Sequence, residues 1–511
     1  MYISLGIFNI EAIMHFKKLL APMVAPLALG AVLGLTACGD DSSKGTDVNP
    51  VNPDPVVNPD PSTTPTDPTT TPTDPTTTPV TDPTTTPVTN PTTNPTPTAS
   101  WVSPVPLAST ANVANSANVY LAWKPFHFVN MEDEALYYPT LATEYGVVFG
   151  AAYQPAGRVL WSAQSTGYYK FRCNDDNTTI SSLRYRACTV SEGVGYGMLL
   201  TMANGDLDAY TRLWNYSRAF RDYNSTPTAK MYLTPWITYS FHYSEIDLSS
   251  ATDADLDIAT SLILMYYKTN QQAFLDDAKN IVNAIWEHEV NPTSLLLYSG
   301  DTDVWNGKNG KPPVYNLSYF SPVALRLFAM IDPSHNWTGV LDAMYTYMAK
   351  VQAAGTGVFP DWSDDAGVAA VPDNGSADKT YWTFNKESVR IPWRIAWDYY
   401  WFQDPRALAV LTTLNNFISA KAGGDPSSKA LAVQYSWDAT KADATNNTTV
   451  PTQWLAAWCA TGIGNNQTWL ENCTALVNAK TVSNNNSSYF TDILLGLYSS
   501  LLNGAFVKPF N

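Results

Sequence analysis

Acidic residues stand at the start of three apolar segments of the sequence and could share one chemical task. The segments begin around Glu192, Asp253 and Glu387, and each continues into a run of apolar or aromatic side chains. If each acid lies in the first turn of a buried helix, side chains from distant parts of the chain can meet at one end of a helical barrel. Carboxylates gathered in this way can act as a general acid and a general base.

Paired carboxylates beside aromatic rings suit the hydrolysis of a glycosidic bond. One carboxylic acid protonates the leaving oxygen, and a second carboxylate serves as base or nucleophile. The chain holds 17 Trp and 29 Tyr, whose flat rings suit sugars but also fill helical cores. Each acid has a structural alternative as well, because a carboxylate in a first helical turn can serve only to balance the helix dipole.

Two other interpretations of these motifs fit poorly. The run at 253–257 lacks the Gly and the Glu of a calcium loop, since Ile258 and Leu264 stand at those positions. The glycines of 193–197 resemble a nucleotide-binding turn, but Met198 replaces the third Gly and we expect no strand before them. Their spacing predicts instead a backbone packed closely against a bulky neighbour.

Composition disfavours several classes of function. The 511 residues are 45% hydrophobic, enough for a large core, and only 14% charged, with a formal net charge of -16. Binding to nucleic acid or to an anionic membrane through charge is therefore disfavoured. The five His residues lack the spacing of metal ligands, which disfavours a zinc hydrolase. We expect no metal, no organic cofactor and a monomer.

The N-terminal region predicts export and a lipid anchor. Residues 1–37 predict a lipoprotein signal peptide, in which an apolar run at 19–37 follows Lys17 and Lys18. Its end, Leu-Thr-Ala-Cys, resembles a bacterial lipobox, in which Cys38 carries the lipid and becomes the first mature residue. A single transmembrane helix is the alternative. We expect anchoring to the cell envelope of a bacterium, at the outer membrane or cell surface.

A linker and a single folded domain should follow the anchor. Residues 38–100 are rich in Pro and Thr and have almost no apolar side chains, so they predict a disordered tether. The folded domain should span 101–511.

Four further cysteines remain for this domain. Locally closed disulfides at 173–188 and 459–473 would suit an oxidising compartment, although spacing leaves the pairing of Cys173, Cys188, Cys459 and Cys473 open.

The domain should be all-α. Segments that are apolar throughout alternate with amphipathic ones, which predicts an (α/α)6 barrel of six inner and six outer helices. We expect these helices near 114–128, 192–203, 208–221, 253–268, 271–289, 320–332, 336–353, 389–401, 405–422, 452–463, 467–480 and 489–504.

Five motifs, in order along the chain, resemble glycoside hydrolase family 8. They are the SEGVGYGM segment at 191–198, the ATDAD segment at 251–259, the segment at 316–322 with Leu in place of a Pro, the Pro-Asp-Trp at 360–362, and the segment at 387–394. The resemblance covers roughly 150–405 and also implies the (α/α)6 barrel.

The resemblance implies an inverting hydrolase of a β-1,4-linked polysaccharide. Glu192 matches the family's general acid, and Asp253 matches the Asp that engages the sugar before the cut. Tyr319 matches a Tyr beside the attacking water. Glu387 stands at the base position, where the largest subgroup has Asp, and Arg390 should orient the base or a neighbouring acid. An inverting site predicts carboxyls about 6.5–9.5 Å apart for the acid and the base.

Two aromatic residues complete the predicted site. Trp236 should stack on a sugar, with a place in the barrel wall as the equal alternative, and Tyr196 should also contact substrate.

The expected substrate is a cellulose-like or mixed-linkage β-1,4-glucan, cleaved in an endo fashion. Xylan-active members tend to have Gly-Glu after the first Asp of the signature, whereas this chain has Ala254-Asp255. Chitosan and then xylan are the alternatives within the family.

A surface lipoprotein that only captures glycans is the alternative from another class. A second carboxylate argues against it, because binding alone needs none. A lyase or epimerase would require a Tyr or His as its base, and this class of function is disfavoured.

Overall fold

A computed structural model describes residues 101–133, 150–161, 188–223, 231–239, 242–308, 310–372, 380–443, 450–483 and 488–510. Cys38, the Pro/Thr-rich linker and Cys173 lie outside these ranges. Within the described part of the chain, no helix is both long and apolar enough to cross a membrane.

Helices dominate the described part of the chain. They are α1 (Val113–His127), α2 (Ser191–Ala203), α3 (Leu207–Tyr223), α4 (Thr252–Thr269), α5 (Gln272–His288), α6 (Asp303–Asn306), α7 (Pro322–Ile331), α8 (Trp337–Ala354), α9 (Ile391–Phe402), α10 (Pro405–Ala422), α11 (Thr452–Ala460), α12 (Gln467–Asn478) and α13 (Tyr489–Leu502). Each of the twelve predicted segments corresponds to one of these helices, and the short α6 is an addition.

Six helices form the inner ring of the barrel: α2, α4, α7, α9, α11 and α13. Each packs against the next, and α13 closes the ring against α2. An inner helix is buried on all sides, as α4 is from Thr252 to Tyr267. An outer helix buries one stripe, and in α5 the buried residues recur at helical spacing: Phe274, Leu275, Ala278, Ile281, Val282, Ala284 and Ile285. The (α/α)6 barrel is confirmed.

Short antiparallel strands lie between the helices. They are β1 (Phe128–Asn130), β2 (Gly157–Val159), β3 (Cys188–Val190), β4 (Pro235–Tyr239), β5 (His242–Ser250), β6 (Val314–Tyr315), β7 (Ser363–Asp364), β8 (Thr383–Phe384) and β9 (Tyr435–Ser436). They pair as β1–β2, β3–β4–β5, β6–β7 and β8–β9.

The three-stranded sheet joins the starts of two inner helices. Strand β3 ends directly before α2 and β5 ends just before α4, with β4 between them. The expectation that no strand precedes the glycine-rich motif was therefore wrong. Apolar periodicity reveals long helices but not three-residue strands whose pairing depends on distant partners.

The glycines of α2 allow close approach of neighbouring elements. A Cβ added at Gly195 would lie 3.2 Å from the backbone oxygen of Ala254 in α4, and one at Gly193 would lie 3.1 Å from the hydroxyl of Tyr489. A Cβ at such distances fits only if its neighbour moves by a few tenths of an ångström, so the prediction of close backbone packing is confirmed.

One of the two disulfides considered from the sequence lies in the described residues. Cys459 and Cys473 are joined with their Cα atoms 5.2 Å apart, which ties α11 to α12. The side chain of Cys188, like the whole of Cys173, falls outside the described part.

Candidate active site

The N-terminal ends of the inner helices meet at one end of the barrel. Glu192 is the second residue of α2 and Asp253 the second of α4. Glu387 precedes a 3-10 turn at 388–390 that leads into α9. Tyr489 is the first residue of α13. Antiparallel alternation of inner and outer helices gives every inner helix the same direction, which brings these residues together.

Arg390 lies at the centre of this group and binds three carboxylates. Its Nη1 donates to Oε2 of Glu192 and to Oδ2 of Asp253, the latter at 3.1 Å, while Nη2 donates to Oε2 of Glu387. The side chain of Arg390 is only 3% exposed, whereas Glu192 and Glu387 keep 17% and 16%. A buried cation therefore holds two accessible carboxylates side by side.

The shared guanidinium limits the distance between Glu192 and Glu387. Two hydrogen bonds of about 3 Å each and the width of one guanidinium place the bonded oxygens no more than about 8 Å apart. This limit is compatible with the separation expected of an inverting site, and the value itself stays a prediction.

Burial and mutual repulsion raise the pKa of two carboxyl groups in the cluster. Desolvation raises the pKa of Glu192, and the charge of Glu387 adds to the effect, while Arg390 and Tyr489 oppose it. Desolvation also raises the pKa of Asp253 to about 8, against the attraction of Arg390. Three ionised carboxylates against one guanidinium would leave an excess of buried negative charge, so the arrangement favours protonation of at least one acid.

Two tyrosines border the carboxylates. The hydroxyl of Tyr489 donates to Oε1 of Glu192 at 2.8 Å. The guanidinium of Arg390 lies over the ring of Tyr319, 5.4 Å from its centroid. Burial and the neighbouring charges of Asp253 and Glu387 raise the pKa of Tyr319 well above its ordinary value, so its hydroxyl remains a hydrogen-bond donor.

The structure adds three residues to which sequence reasoning gave no role. Tyr489 binds Glu192, Asn316 donates to Glu387, and Asp361 accepts from the backbone that carries Glu387. The position of Tyr489 at the start of the last inner helix was the available signal, because that position belongs to the same end of the barrel.

The roles of the two predicted substrate-binding aromatics stay predictions. Tyr196 is fully buried in α2 and packs edge-on against Trp393, with ring centroids 5.9 Å apart. Trp236 is half-buried on β4 and meets Trp161 edge to face at 6.5 Å. Its sugar-stacking role stays a prediction.

A metal centre is not formed by the described residues. No group of three or more His, Cys, Asp or Glu among them could hold a metal ion. In the carboxylate cluster, Arg390 supplies the positive charge.

Comparisons with known proteins identify the family of this chain. The family model for glycosyl hydrolases family 8 matches residues 171–494. Endoglucanase C of Ruminiclostridium cellulolyticum is 32% identical over 234 residues, which are 45% of this chain and 46% of that protein. Beta-glucanase of Niallia circulans is 31% identical over 272 residues, covering 51% and 62%. The chain thus spans about half the length of the curated relatives it matches.

Solved structures share the fold. The apo structure of a beta-1,3-1,4-glucanase from Paenibacillus sp. X4 covers 80% of this chain and 97% of its own, with a TM-score of 0.60 and 22% identity. A reducing end xylose-releasing exo-oligoxylanase covers 75% and 97%, with a TM-score of 0.52 and 14% identity. With most of its barrel matched by the family model, the chain belongs to glycosyl hydrolases family 8.

Proposed function

We propose that this protein is an endo-acting glycoside hydrolase that cleaves a β-1,4-linked glucan by inverting single displacement. The observation that carries the proposal is the group of Glu192, Asp253 and Glu387 around the buried Arg390. A protein that only captures glycans has no use for two accessible carboxylates within reach of one guanidinium.

Glu192 is the proposed general acid. A general acid must hold its proton at the working pH, and burial raises the pKa of Glu192 in spite of Arg390. Tyr489 fixes Oε1 of this carboxyl at 2.8 Å. In this role Glu192 protonates the glycosidic oxygen as the bond to the anomeric carbon breaks.

Glu387 is the proposed general base. It takes a proton from a water molecule, which attacks the anomeric carbon from the side opposite to the leaving group and inverts the configuration. Tyr319 and Arg390 border the space beside Glu387 and would orient this water. Asp253, whose pKa burial raises to about 8, would donate a hydrogen bond to the sugar before the cut.

The preference for glucan is supported by the relatives. The matched curated proteins are named endoglucanases and a beta-glucanase. Chitosan and xylan remain the alternative substrates within the family, and one solved structure of the same fold is named an exo-oligoxylanase.

Reducing-sugar release by the full-length chain tests the proposal. The panel is carboxymethyl-cellulose, mixed-linkage glucan, chitosan and xylan, and the variants are Glu192→Gln and Glu387→Gln. We expect activity on the glucans that falls by at least about 10³-fold in either variant. Glu287→Gln, on the exposed face of α5, is the matched control and should keep full activity.

Proton NMR of the first products tests the stereochemistry, because inversion releases the α-anomer from a β-linked chain. Initial release of the β-anomer would refute the inverting mechanism. Retention on insoluble glucan without hydrolysis of any polymer would favour the capturing protein instead.

We also propose that Cys38 carries a lipid that anchors the chain to the bacterial envelope. The support is the sequence alone, namely the basic and apolar stretch that ends in Leu-Thr-Ala-Cys. Mass spectrometry of the mature protein should find an acylated N-terminal Cys38, and Cys38→Ser should remove the protein from the membrane fraction. An unmodified Cys38 would refute the anchor.

A further inference from the structure

The carboxylate of Glu387 and the backbone beneath it are held separately. The side chain is one methylene longer than the Asp usual at the base position. The extra rotatable bond would let its carboxylate adopt more positions. Besides Arg390, two buried residues contact Glu387, one at its backbone and one at its carboxylate.

Asp361 holds the backbone end. It lies two residues before β7 and is only 2% exposed. Its Oδ1 accepts hydrogen bonds from the backbone N–H of Asn385 at 3.1 Å, of Glu387 at 3.2 Å and of Ser388 at 3.0 Å, and from the Ser388 hydroxyl at 2.8 Å. One carboxylate oxygen therefore binds three backbone N–H groups and one hydroxyl of the turn between β8 and α9.

Asn316 holds the carboxylate end. It follows β6 directly and is 1% exposed. Its Oδ1 accepts from the backbone N–H of Ser318 at 3.0 Å and from the Ser318 hydroxyl at 2.7 Å. Because the backbone N–H of Ser318 can only donate, its partner must be the amide oxygen, and the other end of the amide is the NH₂ group. That group donates to Oε2 of Glu387 at 2.7 Å.

The strand pairs explain why these two residues meet Glu387. Strands β6 and β7 pair, so the segment after Val314 and Tyr315 lies beside the segment before Ser363. Asn316 and Asp361 are thereby both brought next to Glu387, although they lie 45 positions apart in the sequence.

We propose that Asp361 and Asn316 are positioning residues for the general base: Asp361 fixes the turn that carries Glu387, and Asn316 fixes its carboxylate. The proposal rests on the assignment of Glu387 as base under the proposed function. Neither residue needs to touch the substrate, so removal of either should lower kcat and leave KM nearly unchanged.

The charge of Asp361 is not required for this task. Desolvation and the charge of Glu387 raise the pKa of Asp361 to about 8, against the hydrogen bonds from Ser388 and Asn385. A protonated carboxyl still offers a carbonyl oxygen as acceptor. The amide of Asp361→Asn offers the same oxygen, so this variant should keep most of the activity that Asp361→Ala loses.

Steady-state kinetics of the full-length enzyme on the preferred glucan provides the test. We expect Asp361→Ala to lower kcat about 100-fold, since a displacement of about 1 Å has this effect on a reacting group. Asn316→Ala should lower kcat about 10- to 100-fold, because it removes a hydrogen bond to a charged group. KM should change less than threefold in both, and Asp361→Asn should stay within about fivefold of wild type.

A double-mutant cycle separates positioning from a merely structural role. In the Glu387→Asp background the shorter side chain withdraws from Asn316, so Asn316→Ala should cost less than about threefold there. A structural defect would lower kcat by the same factor in both backgrounds. If Asp361→Ala does not fold, the Asn316 cycle still decides the question for Asn316, and loss of activity in a folded Asp361→Asn would contradict the acceptor role of Asp361.

Asp332→Ala is the matched control. Asp332 also accepts several hydrogen bonds in a turn, among them the Ser334 N–H at 3.2 Å and the Trp337 indole N–H at 2.9 Å. It follows the C-terminal end of α7, away from the N-terminal ends that form the site. Its loss should lower the melting temperature and leave kcat within about twofold.

The outcomes distinguish this inference from the proposed function. Full activity in Glu387→Gln would remove Glu387 as base and so refute the mechanism itself. Inactive Glu387→Gln together with unchanged kcat in both Asp361→Ala and Asn316→Ala would overturn the positioning role alone. A rise in KM with unchanged kcat would also overturn it, because it would mean that these residues bind substrate.

Discussion

Replacement of Arg390 by Met tests whether one guanidinium holds the carboxylate cluster together. Arg390 is 3% exposed and binds Glu192, Asp253 and Glu387. Removal of one partner of a buried ion pair costs about 3–5 kcal/mol of the free energy of unfolding. The entropy of unfolding is about 2.1 cal/mol/K per residue, or about 0.9 kcal/mol/K for residues 101–511. The expected fall in Tm is therefore about 3–6 °C where the carboxylates are ionised.

The fall in Tm should grow with pH. Desolvation raises the pKa of Asp253 to about 8 and that of Glu192 above its ordinary value, and Arg390 lowers both. Without Arg390 both pKa values rise further. An acid whose pKa is raised in the folded state binds more protons there than in the unfolded state. The free energy of unfolding therefore falls as pH rises from the unfolded-state pKa to the folded-state pKa. The extra loss in the variant should appear above the wild-type pKa values, that is, towards and above about pH 8.

Thermal melts at about pH 5 and about pH 9 measure this difference. Arg406→Met is the control, because Arg406 is 39% exposed and also binds carboxylates, including Asp404. Hydrogen bonds from Arg406 and Arg326 outweigh burial and hold the pKa of Asp404 at about 2, so that its charge does not change over this range. The control should lose about 1 °C or less at both values. An equal loss at both values for Arg390→Met, or a loss below about 1 °C at the higher one, would refute the reasoning.

Three further changes probe other parts of the molecule. Tyr489→Phe removes the donor that lowers the pKa of Glu192, so the alkaline limb of the kcat/KM profile should move up by about one pH unit; an unmoved limb would contradict this. Cys459→Ser opens a disulfide whose partners are 14 residues apart, and calorimetry or melts should show a loss of about 3 kcal/mol, absent if the disulfide does not form. Gly195→Ala places a Cβ 3.2 Å from the Ala254 backbone oxygen and should cost about 1–3 kcal/mol; a neutral result would show that α2 and α4 can separate freely.

The fold could be predicted from helix periodicity because the inner and outer helices of an (α/α)6 barrel differ in composition. The run at 253–268 is mostly apolar after its first turns and became the inner α4, whereas 271–289 is amphipathic and became the outer α5. Local capping was readable too. Asp404 accepts from the N–H of Arg406 and is followed by Pro405 at the first helical position. Most of the strands could not be predicted, since two or three residues show no period and pair with distant segments. The longer hairpin of β4 and β5 was missed as well.

The acids of the site were readable for the same reason. Residues at the starts of inner helices must converge at one end of the barrel, so Glu192, Asp253 and Glu387 could be grouped from the sequence. How the three acids are arranged around one another could not be predicted from the sequence. That one guanidinium binds all three depends on how α2, α4 and α9 pack side by side.

The sequence by itself determined the helical barrel, the family and the grouping of Glu192, Asp253 and Glu387, because each follows from local composition or from contiguous motifs. Only the tertiary structure decided that Tyr196 is buried beneath the site, that Tyr489 reaches Glu192, and that Asp361 and Asn316 hold Glu387 from two sides. These contacts join segments tens to hundreds of residues apart. Their geometry is fixed by side-chain packing and strand pairing, which no local pattern in the sequence specifies.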